Sequence, residues 1–160
     1  MKTRLTNKYL EFVEHIQGEL SRPFSADSCV VFSVFPALGT GHFSIQLVDA
    51  TSPFLFVRQW NQDLAESYQL GIYNLDNVKL DERKLSISDK DLFIIRDLIR
   101  SDIDVRETQA IILDSVDFEL KVTREDKTDI YHWRTEEQIS DKTKTLIKKL
   151  VDVAGLQQKL

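Results

Sequence analysis

A chain of 160 residues with 42% hydrophobic and 29% charged side chains has the size and make-up of one globular domain. Its net charge of −5 gives no general basic surface for the phosphates of nucleic acid or for an anionic membrane, so neither partner is expected. One cysteine cannot form an intrachain disulfide, no apolar stretch follows the N-terminal charges as a secretion signal would require, and no apolar run nears about eighteen residues, so a soluble, cytoplasmic protein is expected.

The first element is a helix over residues 5–20. Leu5, Tyr9, Phe12, Val13, Ile16 and Leu20 form one stripe of a 3.6-residue period, with Lys8, Glu11, Glu14 and Glu19 opposite. Arg22-Pro23 ends it, since the residue before proline is pushed out of the α region. Three strands follow. Residues 28–35 form an apolar, β-branched and aromatic run, 42–49 alternate with Phe43, Ile45 and Leu47 on one face, and 54–60 close an antiparallel meander.

Residues 61–70 read equally as short helix or loop, and 72–80 as extended chain weakened by Asn74, Asp76 and Asn77. Ser88 followed by Asp91 opens a helix that ends near Ser101. Strands are expected at 109–113 and 116–122, with a charged hairpin loop over 124–129 and a return at 130–134. A last helix starts at about Ser140 and stops at Gly155, placed for a left-handed cap. This order predicts an α+β fold: a largely antiparallel sheet of about five to seven strands, packed by N-terminal, central and C-terminal helices. A single domain over residues 1–160 is expected, with a division near residue 85 left open.

No catalytic motif stands out. Ala37-Leu-Gly-Thr-Gly-His42 lies between predicted strands and lacks the Lys and following helix of a phosphate loop, so it reads as a hairpin connection. His15, His42 and His132 are scattered without metal-ligand spacing, so no metal or cofactor is expected. Cys29 reads as a buried, inert thiol, with a Cys29–His42 pair the one nucleophile–base combination to check. Asp117 and Glu119 share the polar face of a strand, which suits solvation better than paired-carboxylate catalysis, and Asp114-Ser115 suits a turn. The lysines Lys142, Lys144, Lys148 and Lys149 read as the solvated side of the last helix. Trp133 reads as core, while Trp60, ending a strand beside Arg58, suits core and contact surface about equally.

The stretch Ile111-Ile-Leu-Asp-Ser-Val-Asp-Phe-Glu-Leu, then Tyr131-His-Trp133, then an amphipathic helix, resembles a module of small uncharacterised bacterial proteins. The turn there often reads Asp-Gly where this chain has Asp114-Ser115. The resemblance covers about a third of the chain, implies a bacterial source and an α+β fold, and brings no catalytic residues.

The expected function is therefore a non-enzymatic protein that binds another protein, in the manner of an immunity or adaptor protein. Trp60, Arg58, His42, His132 and Asp49 are the candidate binding residues. The alternative is a small-molecule-binding domain or small enzyme with a cleft on the sheet that gathers His42, His132 and Asp49. Self-association through an exposed edge strand is a third reading.

Overall fold

The computed structural model of the chain describes residues 2–37, 39–71, 73, 75, 78–109 and 115–156, with side chains from Asn7 onward. The apolar stripe of the N-terminal segment forms helix α1, Lys2–Ser21. Strands β1 (Ser28–Pro36), β2 (His42–Val48) and β3 (Phe54–Trp60) follow as the expected meander, each antiparallel to the next. Helix α2 (Leu64–Leu70), strand β4 (Asp81–Ser86) and helix α3 (Asp89–Arg100) come next. The chain returns as the hairpin β5 (Val116–Arg124) and β6 (Lys127–Trp133), and ends in helix α4 (Asp141–Ala154).

The strands make one antiparallel sheet in the order β4-β3-β2-β1-β5-β6, so the fold is α+β as expected. Strands from both sides of residue 85 share it. Among the described residues no helix is long and apolar enough to cross a membrane.

Alternation along the strands divides the sheet into two faces. Phe32, Val34, Ile45, Leu47, Val57, Leu120 and Trp133 point to one side and are covered by Ile95 and Ile99 of α3 and by Leu146, Ile147 and Leu150 of α4. Each such side chain contributes about 1.5–3 kcal/mol on leaving water. Phe32, Phe118 and Trp133 stack there, with ring centroids 5.6–6.2 Å apart. Helix α1 covers the other face, setting Phe12, Ile16 and Leu20 against Phe35, Trp60 and Leu64.

Four local features refine the sequence reading. Residues 64–70 are helical because Asp63 caps them, its carboxylate accepting from the Ala65 and Glu66 amides at 2.8 and 3.3 Å, and Gly71 ends them at φ 63°. The fourth strand lies at Asp81–Ser86 rather than 72–80. Tyr73, Leu75 and residues 78–80 are not extended strand, and the other positions of that stretch lie outside the described residues. As an edge strand β4 buries little, so it carries no apolar alternation to read. The charged loop shrinks to Glu125-Asp126, both at positive φ (48° and 64°), the two-residue turn that matches strand twist. The strand expected at 109–113 falls, apart from Gln109, outside the described residues; Gln109 itself is not in a strand.

Candidate functional site

A helix is about 10–12 Å wide, whereas six strands spaced by roughly 4.8 Å span about 24 Å. Among the described residues α1 lies chiefly over β1, β2 and β3, its C-terminal end reaches Lys121 of β5, and Ile130 and His132 of β6 stay exposed. The cross-strand register sets a polar row across this face: Glu82, Arg58, Ser44, Ser33, Glu119 and His132, one from each strand from β4 to β6. The middle of the row lies beneath α1, where Ser33 and Ser44 are fully buried. Its β6 end, His132, is exposed.

Part of this polarity holds α1 in place. The helix ends without a glycine cap, and the sheet supplies the missing donors. Lys121 Nζ donates to the Ser21 carbonyl at 3.2 Å, Gln46 Nε2 to the Arg22 carbonyl at 3.2 Å, and Arg58 Nη1 to the same Arg22 oxygen. Positive charge suits the C-terminal end of a helix dipole. Arg124 serves α3 likewise, its Nε and Nη2 donating to the Ile99 carbonyl at 2.9 and 2.7 Å. Arg58 is therefore a buried structural cation, 3.5 Å from Glu82 and stacked over Phe56 at 4.9 Å. Burial lowers its pKa while Glu82 opposes the shift.

Where α1 stops covering the sheet, a cleft of about 760 Å³ opens. Gln17, Gly18 and Ser21 of α1 form one wall, and Glu107 and Thr108 the other. Its floor carries two charged groupings. Arg134 Nε donates to Asp117 at 2.7 Å. Glu119 lies 3.5 Å from Lys121 Nζ and 3.7 Å from His132 Nε2. The Glu119 side chain is only 14% exposed, whereas His132 is 67% exposed. A separation of 3.7 Å is ion-pair distance, longer than the 2.6–3.2 Å reach of a positioned general base.

The five residues singled out from the sequence do not form one site. Trp60 and His42 are cross-strand partners, with ring centroids 5.0 Å apart, and both are buried beneath α1. They line a small cavity of about 10 Å³ with Val13, Ile16, Gln17 and Leu64. Burial lowers the His42 pKa, opposed in part by the Gly39 backbone and the Asp63 carboxylate. Asp49 lies beyond the opposite end of β2 and is held by Arg96 of α3 through two hydrogen bonds of 3.1 and 2.5 Å. His132 is three strand spacings across the sheet and two residues along it from His42, about 16 Å away by strand geometry. His42, His132 and Asp49 thus do not converge.

Cys29 lies near the end of β1 that pairs with Val48, far from His42, and its thiol donates to the Leu47 carbonyl at 3.6 Å. Burial, reinforced by Asp49, pushes its pKa up to about 12. Among the described residues no three His, Cys, Asp or Glu side chains gather as a metal site.

Alternation along 116–122 places Asp117, Glu119 and Lys121 together on a polar face. Which residue meets Glu119 depends on the register with β6, and sequence spacing does not carry that. No protein-family model matches the chain, and no curated protein proves similar to it.

Proposed function

We propose that this chain is a non-enzymatic binding protein whose cleft over β5 and β6 receives part of another protein. One observation carries the reading: among the described residues the β6 end of this sheet face is exposed beside α1, and the charges on the cleft floor are already paired with one another. Arg134 with Asp117, and Glu119 with Lys121 and His132, need no ligand to balance them. A broad opening rimmed by half-exposed polar side chains suits the wet, polar margin of a protein–protein contact. Small-molecule pockets are in general more apolar and enclosed. The acidic balance of the chain favours a basic partner, through faster association. An immunity- or adaptor-like role, a cytoplasmic location and a bacterial source complete the proposal, the last supported by the C-terminal resemblance.

A small-molecule or enzymatic site in the same cleft is the second reading. It is favoured by a volume within the 300–1,000 Å³ usual for ligand pockets and by a buried Glu119 oxygen without a hydrogen-bond partner.

A photo-crosslinking side chain placed at His132 tests the first reading, with one at Phe93, 69% exposed on α3, as the control. A defined protein other than a second copy of this chain should cross-link at 132 and not at 93, and Glu119→Lys should weaken it. Equal labelling from both positions would defeat the proposal.

A further inference from the structure

The two edges of the sheet offer another strand very different things. β4, at one edge, opens with Asp81, Glu82, Arg83 and Lys84. Pairing β4 antiparallel with its own copy, near full overlap about a two-fold axis, sets Arg83 on Arg83 or Lys84 on Lys84. Charges placed in this way are a standard means of blunting an edge.

β6, at the other edge, reads Lys-Thr-Asp-Ile-Tyr-His-Trp. An interface about a two-fold axis uses the same patch twice, so residue i meets j and j meets i. With the axis perpendicular to the sheet, full overlap of two β6 strands places Ile130 on Ile130. Thr128 then faces His132, Asp129 faces Tyr131 and Lys127 faces Trp133. No like charges oppose, and one residue further on Asp126 meets Arg134, an opposite charge. Ile130 is 53% exposed, the one exposed large apolar residue among the described strand residues. The self-paired register puts this residue against its own copy on the axis.

We propose that two copies of the chain join edge to edge through β6, antiparallel, so that their sheets become continuous across the axis. Both clefts then open on the same side of the joined sheet, one from each copy. The binding reading above rests on the cleft rather than on this edge, so either stands if the other fails.

Mass in solution as a function of concentration, measured by analytical ultracentrifugation, tests the joining, and two variants locate it. The wild-type chain should reach about twice 18.6 kDa. Ile130→Lys, at a half-exposed site, should keep its circular dichroism and lose the dimer at the same concentrations. Directly opposed strand residues have Cβ atoms about 4.5–5.5 Å apart, close to disulfide geometry. In a Cys29→Ala background, Ile130→Cys should therefore form an interchain disulfide under mild oxidation, and Phe93→Cys should not. A wild type monomeric at every concentration overturns the proposal. So does an Ile130→Lys chain that still dimerises, or cross-linking at 130 no faster than at 93. Amide protection of β6 that appears only when a different protein is added gives the edge to that protein and also overturns self-pairing.

Discussion

Replacing His42 by leucine should flatten the acid side of the stability curve. His42 is 3% exposed, packed against Trp60 and beneath α1, and the cost of burying a charge lowers its pKa. Its folded pKa lies below the ordinary value of 6.5 that applies in the unfolded chain. As pH falls through 6.5 the unfolded chain takes up the proton first, so acid favours unfolding. The contribution is fully present above 6.5, is lost below it, and levels off under the folded pKa.

Linkage limits the loss between pH 7.5 and pH 5.5 to at most about 1.4 kcal/mol, the value for an imidazole that takes up no proton in the folded chain. For a chain of this size that corresponds to roughly 3–6 °C in Tm. Asp63 is the charged group acting on the ring, and leaving it intact in both proteins confines the difference to residue 42. Urea unfolding of wild type and His42→Leu at both pH values measures the difference directly. At pH 7.5 the two should agree within about 1.5 kcal/mol, as for a swap of similar volume. Parallel losses in the two proteins would refute the reasoning and place the charged imidazole in solvent.

Two further predictions follow from burial. Phe32→Ala removes a fully buried ring that packs against both Phe118 and Trp133, and should cost about 3–5 kcal/mol by urea unfolding; a loss under about 1 kcal/mol would mean that this layer is not close-packed. With its pKa at about 12, Cys29 should hold only about one thiolate in 10⁴ at pH 8, so iodoacetamide should label the unfolded chain and spare the native one, a contrast that mass spectrometry reads and that rapid native labelling would contradict.

Much of the architecture was legible along the chain because burial leaves a period. The stripe Phe12, Ile16, Leu20 marked α1, and the alternation through Phe43, Ile45 and Leu47 marked β2, since one side of each element lies against the core. Ser88, Ser140 and Gly155 marked helix ends through local hydrogen bonding and backbone preference. Where burial is slight the period vanishes, and so β4 could not be read from Asp81-Glu-Arg-Lys.

What lies beside what was decided by the sheet. Glu119 and His132 become neighbours only through the β5–β6 register, and His42 parts from Asp49 because they stand at opposite ends of one strand. Arg58 and Trp60, plausible as surface contacts by residue type, go inside because α1 settles on that half of the sheet. The cleft has the same cause: α1 settles over β1 to β3 and does not extend across to β6. Residue order sets which side of an element is oily, a local matter of period. Where helix α1 lands, and which charges it leaves in the open, is settled by packing between segments distant in the chain.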